Sequence, residues 1–247
     1  MMTDLIYGKT RKAVVNRFGS IQEETMRLKM VIDGLQDFVI PNQVHMEIVA
    51  KFAVPDPGIF WRLQVVSQMA GYQLFTQKLR DIYDIYLDTV NQRLFSAGYT
   101  CRRRILQAGM SIIVTKPNKP EGPFHHRQKL EVALPAALPP ARWPESAARE
   151  LVLQLSSQQQ LAPLFKIQLT RIVRVLQRHG QVMAELKLDK VSLIANDEEQ
   201  IYHELEVELL PSVPGQIMAD LIDCFQNEWY LPAEPRSKFQ RYLELLE

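Results

Sequence analysis

Charged and apolar residues alternate at a two-residue step along many stretches of this chain. Glu204-Leu205-Glu206-Val207-Glu208 is the plainest case, and Glu47-Ile48-Val49-Ala50-Lys51 repeats the step near the start with an acid and a cation. On a β-strand this period sets the charges on one face and the apolar side chains on the other. A single such strand reads as the solvent face of a sheet. Here the charged faces recur on most predicted strands and mix acids with many cations, so the simplest arrangement is a sheet curled around a charged interior.

The strand pattern begins at Gln43. Pro55-Asp56-Pro57-Gly58 is a turn signal leading into a predicted helix over 59–69, with Gly71 as its stop. Strands are predicted at 72–77, 83–87, 99–105, 110–115, 127–134, 164–176, 182–189 and 201–209. The tip at 117–123 is rich in Gly, Pro and Asn, and a proline-rich corner at 135–144 precedes an amphipathic helix over 145–160 that carries Ala148, Leu151, Val152 and Leu155 on one side. A later helix opens with Ser212 as cap and Pro214 in its first turn, burying Ile217, Leu221 and Phe225 at helical spacing; a short helix at 239–246 ends the chain. This set gives an α+β fold, an eight-stranded antiparallel closed β-barrel with helices packed outside, because closure removes exposed strand edges. Residues 1–42 form a separate, partly helical N-terminal arm, expected to pack on the body or to make a homodimer, and 43–247 form the barrel domain.

Composition narrows the function. The 247 residues carry a net charge of +1, with 47% hydrophobic and 23% charged residues, an ordinary globular balance. A near-neutral chain has no global field for nucleic acid or for an anionic membrane, so affinity for anions must be local. Cys101 and Cys224 fit neither a disulfide framework nor zinc spacing. No apolar run is long enough to span a bilayer, and the N-terminus lacks the apolar core of a signal peptide, so the expected location is the cytoplasm. His125 and His126 fall beside the tip, where solvent exposure is expected. Trp61, Trp143 and Trp229 are read as packing on the outer wall.

The cations also come at strand spacing. Arg102 and Arg104 share a face, as do Arg127, Lys129 and Glu131, and Lys116 ends its strand beside the tip. Such a convergence inside a barrel is costly without a ligand. A polyanion with divalent metal suits it: arginine and lysine take phosphate oxygens, and carboxylates hold Mg²⁺ or Mn²⁺. The combination points to phosphoryl chemistry or phosphate storage.

Several segments, in order, resemble the CYTH domain family, the triphosphate tunnel metalloenzymes. They are Glu47 to Phe52, Tyr86-Leu87-Asp88-Thr89, Leu94, Gly98, Arg102 to Arg104, Thr115-Lys116, Arg127 with Glu131, Arg171, Glu185 with Asp189, Glu204 to Glu208, and the ending Glu234-Pro235-Arg236-Ser237-Lys238-Phe239. The resemblance is of the bacterial kind often joined to CHAD domains. It implies a tunnel that binds tripolyphosphate, polyphosphate or a nucleoside or thiamine triphosphate, with no membrane or specific nucleic acid as partner.

The resemblance assigns phosphate binding to Lys51, Arg102, Arg104, Lys116, Arg127 and Arg171. It assigns metal binding to Glu47, Asp189, Glu204 and Glu206, with Glu47, Glu204 and Glu206 catalytic and Glu131, Glu185 and Glu208 as secondary candidates. Lys166, Gln168 and Thr170 share one face of their strand, so Arg171 needs a bulge to join the charged set, or Arg174 takes the role.

Three positions depart from the family pattern. Val49 stands where the opening Glu-x-Glu-x-Lys motif has its second glutamate, Lys129 where many members have a carboxylate, and Lys187 where a small residue is usual. All three shift the interior toward positive charge. The expectation is retained polyphosphate binding with weak metal-dependent hydrolysis. A fully active triphosphatase is the alternative, and a class IV-type adenylyl cyclase comes third.

Overall fold

The computed structural model describes residues 45–117, 122–195, 198–211 and 213–246; the N-terminal arm, the middle of the tip and the Ser212 cap lie outside them. Nine strands run in the order β1 (His45–Ala53), β2 (Gln68–Met69), β3 (Tyr72–Asp88), β4 (Thr100–Leu106), β5 (Gly109–Pro117), β6 (Phe124–Leu134), β7 (Ala162–Arg178), β8 (Gln181–Ala195) and β9 (Glu198–Leu209). Every neighbouring pair is antiparallel, in the sheet order β2-β3-β4-β5-β6-β1-β9-β8-β7. Pairing of β3 with β7 joins the ends. Eight strands thus close into a barrel, and the short β2 sits outside the ring as an extension of β3.

The predicted strands at 72–77 and 83–87 are one element, β3. The polar stretch between them pairs with β7 and passes through a register shift at Thr76/Lys78, so it remains in the ladder despite its lack of alternation. Gly71 closes a hairpin rather than a helix: Ala70 and Gly71 both have positive φ between the paired Met69 and Tyr72. The turn from β7 to β8 repeats the device, with His179 and Gly180 at φ 53° and 77° between Arg178 and Gln181. Two successive positive φ angles give the backbone twist that a two-residue hairpin needs.

Helices cover the outer wall. α1 (Pro57–Val65) is capped by Asp56, whose carboxylate accepts from the Gly58 amide. α2 (Arg93–Ser96) starts where the Asp88 carboxylate accepts from the amides of Thr89, Leu94 and Phe95. α3 (Ala147–Ser156) is capped by Ser146. α4 (Gln216–Asp223) runs on through a wider turn at Cys224–Glu228, and α5 (Lys238–Glu244) opens with a capping box between Ser237 and Gln240.

The apolar residues divide into three clusters. Ala50, Phe52, Leu186, Leu188, Leu205 and Val207 pack under α1 and α4 against Leu63, Met218, Leu221 and Phe225. Cys101, Ile112, Val114, Leu130 and Val132 pack against α3 and Trp143. These are the outward residues of their strands. The third cluster joins Ile82, Tyr86, Phe165, Leu169, Val191 and Leu193 to Phe239 of α5. Its strand residues have the inward parity, so α5 lends an aromatic side chain to the barrel interior. Among the tryptophans, Trp143 is buried and Trp229 partly so, but Trp61 is exposed on the outer side of α1.

Phe225 is fully buried, with its ring centroid 5.2 Å from that of Phe52. Phe225→Ala should cost about 3–5 kcal/mol of stability, measured by urea unfolding. A cost under about 1 kcal/mol would mean that α4 does not brace the barrel wall.

Candidate functional site

Strand parity decides which side chains enter the barrel. On β9 the inward set is Glu204, Glu206 and Glu208, facing Asp189, Lys187 and Glu185 on β8 and Ala53, Lys51 and Val49 on β1. β6 adds Arg127, Lys129 and Glu131, β4 adds Arg102 and Arg104, and β7 adds Arg171. A cavity of about 100 Å³ results, lined by Lys51, Arg102, Arg104, Arg127 and Arg171 with Glu47, Asp84, Glu206 and Glu208.

Each charge has a partner. Arg171 forms a two-point contact with Asp189, its Nε and Nη2 both 2.7 Å from the carboxylate oxygens, and Nη2 lies 3.4 Å from Glu206. Arg127 bridges Glu47 at 2.5 Å and Glu206 at 2.9 Å. Arg104 donates twice to Asp84, at 2.8 and 2.7 Å. Lys51 donates to the Arg236 carbonyl at 2.7 Å and lies 3.8 Å from Glu204. Lys129 bonds Glu47 at 3.1 Å and Glu131 at 3.2 Å, while Lys187 binds Glu208 and lies 3.6 Å from Glu185. Lys238, from α5, bonds Asp189 at 3.2 Å and also Glu204.

These partners set the protonation states. Burial alone would raise the carboxyls of Glu47 and Glu206; at Glu47 the charges of Arg127, Lys129 and Lys187 outweigh it, and at Glu206 those of Arg127, Arg171, Lys238 and Lys187 do. Both are held well below the ordinary carboxylate range. Asp84 is likewise driven up by burial but down by Arg104 and then Arg102, to about 2. Burial lowers Lys51, and Glu204 only partly offsets it. Burial also lowers His125, helped by Lys51.

Most sequence-predicted residues line this cavity; Asp189 and Glu204 do not, being fully buried in their ion pairs with Arg171 and Lys238, and three further expectations differ. Lys116 is exposed on the outer face, its ammonium 5.0 Å from the Tyr99 ring centroid. Its neighbour Thr115 has the inward parity and shares a hydroxyl contact of 2.7 Å with Thr100. Arg171 needs no bulge, because the inward face of β7 carries Phe165, Leu169 and Arg171 and not Lys166, Gln168 and Thr170. Arg174 points the other way, to the carbonyls of Leu63 and Leu74. His125, expected in solvent, is buried and lines the cavity, with Nε2 3.2 Å from the Glu234 carbonyl oxygen. Two interior charged residues were given no role by the sequence, although Lys238 stands in the ending that carries the family resemblance. Asp84 was signalled by the Asp84-x-Tyr86-x-Asp88 alternation, and Lys238 lies on a helix far along the chain, where no strand period points to it.

Asp189, Glu204 and Glu206 each offer an oxygen within 4.8 Å of the others, all buried. Glu204 Oε2 has no hydrogen-bond partner and only the Lys51 ammonium at 3.8 Å, while Glu206 Oε1 lies 2.9 Å from Arg127 Nη2 without hydrogen-bond geometry. Converging carboxylate oxygens, one of them with its lone pairs unused, suit a hard divalent cation. Glu47 falls outside this trio and is held by Arg127 and Lys129.

The model of the CYTH domain family matches residues 45–240. Among solved structures, HpAC1 from Hippeastrum, an adenylyl cyclase candidate with a dominant triphosphatase activity, has a TM-score of 0.62 at 17% identity, covering 80% of this chain and 95% of that one. An adenylate cyclase candidate from Bacillus halodurans has a TM-score of 0.53 at 18% identity, covering 81% of this chain and 98% of its own. At these identities the likeness shows the fold alone. No curated protein matches the chain, and none of its described helices is long and apolar enough to cross a membrane.

Asp84 gives the site a pH signature. Its carboxyl is held at about 2, below the ~3.9 of an unfolded aspartate. Its stabilising contribution is therefore complete above the unfolded value and is lost as pH falls through about 2. The stability gap between the protein and an Asp84→Asn variant should narrow by about 2 kcal/mol from about pH 5 to about pH 2, followed by urea unfolding at each pH. A constant gap would detach Asp84 from its arginines.

Proposed function

The chain belongs to the CYTH domain family, and from this and the charge geometry of its barrel we propose that it binds tripolyphosphate or a longer polyphosphate inside the tunnel. The observation that carries the reading is Arg102. Its Nε is buried without a hydrogen-bond acceptor, since Asp84 at 3.4 Å is already taken in two-point fashion by Arg104. A guanidinium whose one carboxylate is already satisfied by Arg104, in a cavity shared with Lys51, Arg104, Arg127 and Arg171, can turn to an anion without stranding a buried charge, and phosphate oxygens match its planar donor geometry.

In this reading Lys51, Arg102, Arg104, Arg127 and Arg171 are the phosphate-binding residues. Lys116 is left out because it faces away from the cavity. Asp189, Glu204 and Glu206 are the residues that would hold Mg²⁺ or Mn²⁺, with Glu47 close to the phosphate end through Arg127. A bound ion of this kind supplies charge neutralisation of phosphate oxygens and a more acidic water. The chain's own part is to orient the phosphates by arginine and to exclude bulk water, since the Phe239 cluster fills part of the interior.

Hydrolysis is weak in this reading because Val49 offers no ligand and Lys129 and Lys187 supply fixed positive charge to Glu47, Glu131, Glu185 and Glu208. A full triphosphatase is the second reading, favoured by the Asp189, Glu204 and Glu206 trio.

Titration calorimetry with tripolyphosphate in the presence of a chelator should give saturable binding that weakens with salt. Arg102→Ala should weaken it by about 10–100-fold, the worth of a charged hydrogen bond. Absence of binding by folded protein would overturn the reading.

Phosphate release across a Mg²⁺ and Mn²⁺ series then separates the activities. The expected result is slow or no release, raised by the Val49→Glu, Lys129→Glu double variant. Rapid release lost in Lys51→Ala would establish the triphosphatase, and cyclic AMP with pyrophosphate from ATP would establish a cyclase.

A further inference from the structure

The carboxylate trio suited to a divalent ion already holds a cation. Lys238 Nζ donates to Asp189 Oδ2 at 3.2 Å and to Glu204 Oε1, two of the three residues whose oxygens converge within 4.8 Å. Its side chain is only 11% exposed, and among the described residues no carboxylate outside this pair is one of its ion partners. We propose that Lys238 is a built-in counter-ion that stands in the divalent-ion position of the free protein, so that metal and the Lys238 ammonium exclude one another. The inference extends the reading of the tunnel given above and concerns its metal, not its phosphate residues.

The exclusion follows from distance and charge. A magnesium or manganese ion sits about 2.0–2.2 Å from carboxylate oxygens. Bound to Asp189 and Glu204 it would lie within about 4 Å of an ammonium hydrogen-bonded to the same groups, where like charges in a poorly screened interior repel by several kcal/mol. One of the two must leave. Arg171 and Arg127 add positive charge to the same trio through Asp189 and Glu206, which raises the cost of a further cation.

The placement of Lys238 is structural rather than incidental. Ser237 and Gln240 form the capping box that starts α5. Phe239 next to it is buried among Tyr86, Phe95, Phe165 and Tyr242. Just upstream, Glu234 is buried and binds both Arg236 and Arg241. These contacts fix the backbone on either side, leaving the lysine stem as the movable part. A flexible four-carbon stem with a point charge can withdraw where an arginine fork could not.

The test is Mn²⁺ alone, titrated into the protein without any triphosphate and followed by electron paramagnetic resonance and by thermal melting. Lys238→Met and Lys238→Gln should bind Mn²⁺ at least tenfold more tightly than the parent, and Mn²⁺ should raise their melting temperature but not the parent's. Lys238→Arg, which keeps the charge, should behave like the parent.

Removal of the ammonium can destabilise the fold by leaving paired carboxylates unneutralised, and saturating Mn²⁺ should then restore folding. Equal Mn²⁺ affinity in parent, Met and Gln variants would overturn the proposal, as would variants that stay unfolded in saturating Mn²⁺. Tripolyphosphate binding is measured separately, so a gain in Mn²⁺ affinity without any phosphate affinity would sink the proposed function and leave the role of Lys238 standing.

Discussion

The neutralisation of carboxylates buried inside a closed sheet governs this structure. Eight-strand closure takes Asp84, Asp189, Glu204 and Glu206 almost wholly out of water. An unpaired ion in such a place costs several kcal/mol, comparable with the whole stability of an ordinary domain. Glu47, Asp84, Glu131, Glu185, Asp189, Glu204, Glu206 and Glu208 are met by Lys51, Arg102, Arg104, Arg127, Lys129, Arg171, Lys187 and Lys238, charge for charge. The barrel interior is a salt-bridge lattice, and its register is set by it: a one-residue slip of β9 would carry Leu205 and Val207 inward and the glutamates into the outer core.

The same constraint explains the C-terminal segment. Strands alone leave Glu204 beside Asp189 with too little positive charge, and α5 brings Lys238 to both. Glu234, itself buried, is neutralised by Arg236 and Arg241, and the Arg236 carbonyl in turn accepts from Lys51. Residues almost two hundred positions apart are thereby tied to one electrostatic balance. The aromatic contacts of Phe239 then fill the part of the interior that has no charge to balance.

The barrel was legible because a period of two survives wherever one strand face is charged and the other packs under a helix. Glu204 to Glu208, Arg102 with Arg104 and Arg127 to Glu131 all show it. The reading slipped where strand parity was counted from the wrong residue. Lys116 follows an inward threonine, and on β7 the polar Lys166, Gln168 and Thr170 imitate an inward face although Arg171 occupies it. His125 was hidden by the adjacent tip, whose composition reads as solvent-exposed. Asp84 shares the two-residue step of its strand with Tyr86 and Asp88, whereas Lys238 depends on tertiary contact: nothing in the local pattern of α5 tells that its first residue reaches across to β8 and β9.

A lattice balanced in this way also limits how a polyanion can be held. An arginine that turns from a carboxylate to a phosphate leaves the carboxylate exposed to the same burial cost, so the gain is only the difference between two paired states. Arg102 is exempt, since Asp84 keeps Arg104 when Arg102 moves. Arg171, in contrast, is bound to Asp189 at two points and shares Glu206 with Arg127. Under the proposed function, the first phosphate would meet least resistance on the β4 side of the tunnel, at Arg102. Deeper phosphates require the carboxylates of β8 and β9 to find a substitute cation, and in this chain Lys187 and Lys238 are already beside them. Lysines in that position let the arginines exchange partners without an incoming ion, which is the physical sense in which a tunnel can trade hydrolysis for binding.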